Sequence, residues 1–231
     1  MKNILGIDGS KSGWVGVKQS SKQEGTLEIL FNNKLIDFLS PDIDLIIIDM
    51  PVGLDRNIQQ GGRLVDKEAR KRLLKRKSSI FNAPIRDVLK AKSYNEANTI
   101  SKNKGLGISK QSWNLIPKIN ELDQILQIKI RPQIYESHPE LCFQIMNDGA
   151  LKFSKKDKLG IKERKNILIK NGFDKKFLDN NLKKNKNFHS DDFLDACALS
   201  WTAKRIINEK NINLPEDPEK DELGIIMQMK V

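Results

Sequence analysis

Cysteine and histidine are scarce in this 231-residue chain, which has two of each. Cys142 and Cys197 lie far apart and form no Cys-x-x-Cys pair, so reduced, buried thiols are expected and structural zinc is not. The two histidines, His138 and His189, are too few for a site with three histidine ligands. These absences exclude the common zinc sites.

Long apolar runs are also absent, and no stretch approaches the roughly 20 apolar residues of a membrane-spanning helix. The N-terminus, MKNILGIDGS, has no cleavage-site pattern and predicts a first strand rather than a signal peptide. We therefore expect a cytoplasmic protein with no membrane partner. The length suits one domain over residues 1–231, and 38% hydrophobic residues are typical of a globular chain.

Basic residues outnumber acidic ones by 41 to 30, which gives a net charge of +11. Such a charge favours a polyanionic partner, and we expect nucleic acid, either DNA or RNA. Lysine supplies 32 of the 41 basic residues, and the coding bias of an AT-rich genome would produce the same excess. The charge therefore has a functional and a compositional interpretation, and the oligomeric state stays open.

Three strands open the predicted element order, followed by a short helix, a fourth strand, a helical insertion over residues 57–128 and a fifth strand. The predicted strands are 3–8, 13–17, 26–31, 45–48 and 130–136. Helices are predicted afterwards over 139–146, 162–171, 174–184 and 190–207, and the segment LGIIMQM predicts a final edge strand. This order predicts an α/β protein with a mixed sheet and helices on its faces.

Two aspartates end predicted strands. Asp8 follows the first apolar run, and Asp49 follows the continuous β-branched run 45–48. If the two strands are adjacent and parallel, both carboxylates lie at the sheet edge where open α/β sheets bind ligands. The alternatives are a turn residue before Gly9 and a strand terminator before Pro51.

The last predicted helix carries acidic residues on its apolar face. Asp192 and Asp195 are three residues apart and share one face, about 5–6 Å apart at Cβ. Asp191 and Asp192 have an alternative role, because acids are favourable near a helix N-terminus. Asp195 lies a full turn further in, where a buried carboxylate is costly without a partner. A metal ion shared with Asp8 would supply that partner.

Glu136, which ends the fifth predicted strand, completes the candidate catalytic set of Asp8, Asp49, Glu136, Asp192 and Asp195. Carboxylates at one sheet edge bind Mg²⁺ or Mn²⁺, which prefer oxygen ligands, and the four aspartates are the expected metal ligands. Two such ions about 4 Å apart activate a water and stabilise the leaving oxygen in phosphodiester hydrolysis. A metal-dependent nuclease is therefore the first functional hypothesis.

Seven segments, in order along nearly the whole chain, carry a resemblance to a known family: 6–17 (GIDGSKSGWVGV), 48–54 (IDMPVGL), 69–86, 109–123, 136–143, 158–168 and 191–205 (DDFLDACALSWTAKR). The strand-Asp8, strand-Asp49 and Asp192-x-x-Asp195 pattern resembles the RNase H-like superfamily, notably Holliday-junction resolvases. The closer resemblance is to the family catalogued as domain of unknown function 429, predicted nucleases of the RNase H-like fold. It implies a mixed five-stranded sheet with helices on both faces.

Five residues of these segments are candidate substrate ligands. Lys110 and Gln111 would contact phosphate oxygens, Arg70 lies on a basic helix, and Ser79 and Arg86 lie in a loop that would line the site. For each basic residue the alternative is a solvated helical face, where charged side chains are common.

Two other functions compete with the nuclease. A phosphotransferase of the actin-like class shares the strand-Asp-Gly-Ser opening, but it needs a second glycine-rich phosphate loop, and Gly105-Leu-Gly107 is isolated in a helical region. A catalytically inactive nucleic-acid-binding or assembly protein of the same fold would tolerate the loss of Asp195. The nuclease requires Asp8 and Asp195 to share a metal ion.

Overall fold

One mixed sheet of seven strands runs through the computed structural model, which describes residues 2–20, 26–128, 132–183 and 185–231. The strands are β1 (Asn3–Ser10), β2 (Gly13–Ser20), β3 (Glu28–Asn32), β4 (Leu45–Ile48), β5 (Gln133–Glu136), β6 (Asn213–Lys220) and β7 (Ile226–Lys230). Their order across the sheet is β3-β2-β1-β4-β5-β7-β6. The pairs β1–β4, β4–β5 and β5–β7 are parallel, and the pairs β1–β2, β2–β3 and β6–β7 are antiparallel.

Seven α-helices occur in the described ranges: α1 (Leu64–Arg72), α2 (Tyr94–Asn103), α3 (Lys110–Leu126), α4 (Pro139–Met146), α5 (Lys158–Lys170), α6 (Lys175–Asn181) and α7 (Ser190–Ile207). The predicted mixed α/β sheet with helices is confirmed, but it has seven strands and not the five that the family resemblance implies. Residues 130 and 131 of the predicted fifth strand, and residue 184 of a predicted helix, lie outside the described residues. No helix in those ranges is long and apolar enough to cross a membrane.

β6 is the strand that the sequence does not predict, because Pro215 and Pro218 interrupt it. Proline cannot donate to a strand ladder, so it is tolerated only where the ladder is one-sided or irregular. β6 meets both conditions, since it is an edge strand and its register with β7 shifts between Leu214 and Glu219. The segment predicted as the edge strand, now β7, therefore lies one strand further in.

Side chains of the central strands alternate between two apolar clusters, one on each face of the sheet. Ile4 and Ile47 belong to the cluster that contains the apolar residues of α4, α5 and α7. Leu5 and Ile48 belong to the other cluster, which contains the apolar residues of α3. Burial on both faces explains why β1 and β4 read as continuous apolar runs in the sequence.

The helices α1–α3 lie between β4 and β5 in the chain, within the segment predicted as a helical insertion. α3 is the longest of them and buries a stripe at helical spacing, formed by Ile116, Ile119, Leu122 and Ile125, against the sheet face opposite α7. α1 instead buries Val65 and Ala69 in the cluster on the α7 side.

α7 packs unusually close to β1 because Gly6 has no side chain. A Cβ on Gly6 would overlap the backbone of Ser200 and of Ala196 in α7. Only glycine allows this approach of helix and strand backbones. The contact matters for the site because α7 also carries Asp192 and Asp195.

Replacing Gly6 with alanine tests this contact. The added methyl group has no space without moving α7, so Gly6→Ala is expected to lower the free energy of unfolding by about 3 kcal/mol or more. Gly224→Ala is the control, because Gly224 has a left-handed backbone (φ +77°) but open space around it. That change should cost only about 1 kcal/mol of backbone strain. Equal losses in a urea titration of the two variants would contradict the close-packing account.

Candidate functional site

The parallel register of β1 and β4 brings Asp8 and Asp49 side by side. Ile7 pairs with Ile48, so the residues that come next, Asp8 within β1 and Asp49 directly after β4, fall in the same row. The backbone N–H of Asp49 donates to the carbonyl of Ile7 at 3.2 Å and extends this register. Alternation along each strand directs both carboxylates to the face that α7 covers, since Ile7 and Ile48 belong to the opposite face.

The first turns of α7 supply the remaining aspartates. Asp192 caps the helix, because its Oδ2 accepts a hydrogen bond from the backbone N–H of His189 at 2.9 Å. Asp195, one turn further along, has no exposed surface. The prediction that Asp192 and Asp195 extend the buried face of the last helix is confirmed by their burial.

Asp8, Asp49, Asp192 and Asp195 line a single open cavity of about 560 Å³. Among the described residues its lining includes six carboxylates but only four cationic side chains. The carboxylates are those of Asp8, Asp49, Glu140, Asp191, Asp192 and Asp195, and the cations are Arg76, Lys118, Lys155 and Lys156. On a chain whose net charge is +11, this cavity is a local concentration of negative charge.

The carboxylates raise one another's proton affinity. Burial raises the pKa of Asp8 well above its usual value, and the charges of Asp49 and Asp195 raise it further. Burial also raises the pKa of Asp49 to about 6 and that of Asp195 to about 6, although Lys155 opposes both shifts. Burial, which Lys155 opposes only in part, therefore leaves these carboxylates with a raised proton affinity.

Lys155 is the cation closest to these acids. Its Nζ lies 2.6 Å from Oδ2 of the buried Asp195. Burial alone would lower the pKa of Lys155, but the charges of Asp195 and Asp8 outweigh it and raise that pKa. The neighbouring Lys156 pairs with Asp191 at 2.7 Å. Two consecutive lysines of the loop before α5 thus contact the acidic start of α7.

As the side chains stand, no group of three or more His, Cys, Asp or Glu residues in ranges 2–20, 26–128, 132–183 and 185–231 is arranged to hold a metal ion. The chemistry of the donor set nevertheless fits Mg²⁺ or Mn²⁺, because every candidate ligand is a carboxylate oxygen. Asp195 Oδ1 is also buried with no hydrogen-bond partner among the described residues, and a buried carboxylate oxygen without a partner is costly.

Three more cavity-lining residues have buried polar atoms that lack a partner in the described structure: Ser10 Oγ, Ser79 Oγ and His138 Nδ1. Burial lowers the pKa of His138 to about 4, so the imidazole is neutral at pH 7. Buried polar groups of folded proteins normally have partners. Their concentration along one cavity indicates a surface shaped for a polar ligand.

Glu136, the fifth predicted catalytic acid, does not line this cavity. It pairs with Ile48, one residue before the row of Asp8 and Asp49. Its carboxylate instead meets the buried guanidinium of Arg63 at 2.7 Å, which also binds Asp66 at 2.7 Å. Glu136 thus belongs to a buried ion-pair network.

The five predicted substrate ligands lie in different places. Ser79 and Gln111 line the cavity. Arg70 lines a second cavity of about 410 Å³, where it donates to the carbonyl of Ile80 at 2.9 Å. Arg86 pairs with Asp123 at 3.0 Å and with Asp221 at 2.5 Å, which engages its guanidinium within the fold. Lys110 is exposed in the first turn of α3.

The structure adds cavity cations that the sequence did not single out as site residues, chiefly Lys118 and Lys155. Lys118 donates to the carbonyl of Gly13 at 2.6 Å and lies 4.3 Å from the centre of the Trp14 ring. Both lysines come from segments rich in charged or polar residues, so only their position in the fold distinguishes them from solvated lysines.

Asp49→Asn tests whether the protein's own cations neutralise the cavity carboxylates only incompletely. The pKa of Asp49 is raised in the folded protein, so the folded state binds its proton more tightly and the free energy of unfolding falls as the pH rises from about 4 to about 6. In the presence of a metal chelator at pH 8, Asp49→Asn is expected to be about 1–3 kcal/mol more stable than the wild type. The gain should shrink towards pH 4.

The exposed Asp217 provides the matched control, because Asp217→Asn removes the same charge at the far edge strand. Denaturant melts at several pH values compare the three proteins. A loss of stability in Asp49→Asn at pH 8 would show that its carboxylate is held by favourable contacts.

A search of curated proteins found no match to this chain, and a search of solved structures found none either. A family model described as "Protein of unknown function (DUF429)" matches residues 6–220. The match includes the two strand-end aspartates and the acidic start of α7. Since it covers nearly all of the 231 residues, the chain belongs to the DUF429 family.

Proposed function

We propose that this protein is a metal-dependent nuclease that hydrolyses phosphodiester bonds of DNA or RNA at the cavity described above. The observation that carries the proposal is the convergence of Asp8, Asp49 and Asp195 from β1, β4 and α7 on one cavity. Three separate elements deliver hard oxygen ligands to one place, and the resulting charge is only partly neutralised by the protein.

The charge distribution supports a substrate that is itself a polyanion. The net charge of +11 favours the approach of nucleic acid, whereas the acidic cavity favours a cation. A divalent ion in the cavity would reverse the local sign and allow a phosphate to enter. Arg76 and Lys118 line the same cavity and would then face the phosphate oxygens.

Asp8, Asp49 and Asp195 would hold the metal, and Asp192 lies in the same cavity as a further oxygen donor. A bound Mg²⁺ or Mn²⁺ supplies an activated water and charge stabilisation of the leaving oxygen. The chain's own contribution is positional. β1, β4 and α7 fix the carboxylates, while neutral His138 and Ser10 offer buried hydrogen-bonding atoms to a polar group in the cavity.

The sheet supports the RNase H-like interpretation of the fold. β1–β5 are contiguous across it, and they combine antiparallel pairing at β2 and β3 with parallel pairing at β4 and β5. The hairpin β6–β7 extends this five-stranded part at one edge.

Cleavage assays test the proposal with fluorescently labelled single strands, duplexes and branched junctions of DNA and RNA. Cleavage is expected with Mg²⁺ or Mn²⁺ and not with chelator. Asp8→Asn should reduce the rate at least about 100-fold, because it removes a metal ligand without changing side-chain shape. Asp217→Asn should match the wild type. Equal, metal-independent rates for all three proteins would indicate a contaminant and contradict the proposal.

Binding measurements test whether nucleic acid is the partner, and cleavage and metal dependence then distinguish the nuclease from the inactive nucleic-acid-binding protein. Affinity should fall as salt rises, with a logarithmic slope of about −0.9 for each phosphate neutralised on duplex DNA. Anisotropy titrations at several salt concentrations give this slope. Binding with no cleavage of any substrate, by a protein whose stability Mn²⁺ does not change, would favour the inactive nucleic-acid-binding protein.

A further inference from the structure

The side chain of Lys155 places its ammonium among the carboxylates of the cavity. Its ammonium is 2.6 Å from Asp195 Oδ2, and the charges of Asp8 and Asp49 also act on it. Only 1% of the Asp195 side chain is exposed, whereas 35% of the Lys155 side chain is. The lysine therefore reaches a buried acid from the solvent side of the cavity.

The backbone on both sides of Lys155 is held in place. Ahead of it, the Glu163 carboxylate accepts hydrogen bonds from the N–H groups of Lys152 and Phe153, at 2.9 and 3.0 Å. Behind it, α5 begins at Lys158, and Gly160 packs so closely on the Ser154 carbonyl that a Cβ would overlap it. The flexible four-carbon side chain of Lys155 can withdraw while the loop backbone stays where it is.

A single ammonium does not satisfy the cluster. Asp8 and Asp49 line the same cavity as Asp195, but the ion pair of Lys155 is with Asp195. In the part of the chain that the structure describes, Asp195 Oδ1 also has no hydrogen-bond partner. A divalent cation carries twice the charge and accepts several oxygen ligands, so it satisfies these acids better than an ammonium does.

We propose that Lys155 is a tethered cation that occupies the carboxylate site in the metal-free protein and is displaced when Mg²⁺ or Mn²⁺ binds. Lys155 thus determines the affinity of the site for divalent cations. It holds the carboxylates together without metal, and it competes with the metal for them. This inference rests on the proposed function in one respect, which is that the bound ion is Mg²⁺ or Mn²⁺.

Competition predicts the effect of removing the ammonium. The apparent affinity of a ligand equals its intrinsic affinity multiplied by the fraction of protein molecules in the binding-competent state. If Lys155 fills the site in about nine molecules of ten, Lys155→Met should bind Mn²⁺ about tenfold more tightly by calorimetry. Its metal-free form should melt lower than the wild type. Lys156→Met is the charge-matched control, because Lys156 pairs with Asp191 instead, and its Mn²⁺ affinity should change less than about threefold.

Amine labelling followed by mass spectrometry tests the displacement in the wild-type protein, and it does not depend on any variant folding. Lys155 is expected to be protected from acetylation in chelator and to become reactive when Mg²⁺ is added. Lys156, whose side chain is 70% exposed, should react in both conditions.

The outcomes separate the two proposals. Wild-type protein that binds Mg²⁺ while Lys155 stays protected, or Lys155→Met with wild-type Mn²⁺ affinity, overturns the inference and leaves the nuclease proposal intact. Displacement of Lys155 by metal without cleavage of any nucleic acid supports the inference and overturns the nuclease. No metal binding by wild type or Lys155→Met overturns both.

Discussion

The close packing of α7 on β1 at Gly6 is the constraint on which the site depends. Because helix and strand backbones touch there, Asp195 on α7 is brought to the face of the sheet on which Asp8 lies. The parallel register of β1 and β4 then places Asp49 beside Asp8. Regular secondary structure thus fixes all three carboxylates, and sites built on helices and strands are positioned more accurately than sites on loops.

Two groups of buried acids in this protein differ in how they are neutralised. Glu136 and Asp66 share the guanidinium of Arg63, which also donates to backbone carbonyls, and this network ties β5 to α1. Asp8, Asp49 and Asp195 instead lie near the ammonium of Lys155, and Asp195 Oδ1 has no hydrogen-bond partner among the described residues. Buried acids with a full set of partners act as structural ties, whereas an under-neutralised cluster that opens to solvent is typical of a binding site.

Much of the carboxylate arrangement could be predicted from the sequence because it follows from local rules. An aspartate directly after a buried apolar run marks a strand end, and a spacing of three places two acids on one helix face. The strand rule holds for Asp49, which directly follows β4, whereas β1 continues past Asp8 to Ser10. The helix rule holds for Asp192 and Asp195, which both line the cavity. No local pattern distinguishes Glu136 from these aspartates, because its partner Arg63 lies 73 residues away in the chain and meets it only in the folded protein. β6 was missed because its two prolines are tolerated only at an edge, and edge position is a property of the whole sheet.

The cations were far harder to predict than the acids. A carboxylate among apolar residues is conspicuous in a sequence, because burying it is costly and demands a reason. The chain has 32 lysines, so a lysine at one position gives no such signal. Lys155 and Lys156 are neighbours in the sequence, but Lys155 contacts Asp195 and Lys156 contacts Asp191. The contact between Lys155 and Asp195 spans 40 residues and depends on where α5 starts relative to α7. Local pattern therefore identifies a charged site by its buried charges, and only the folded structure identifies the basic side chains that neutralise them.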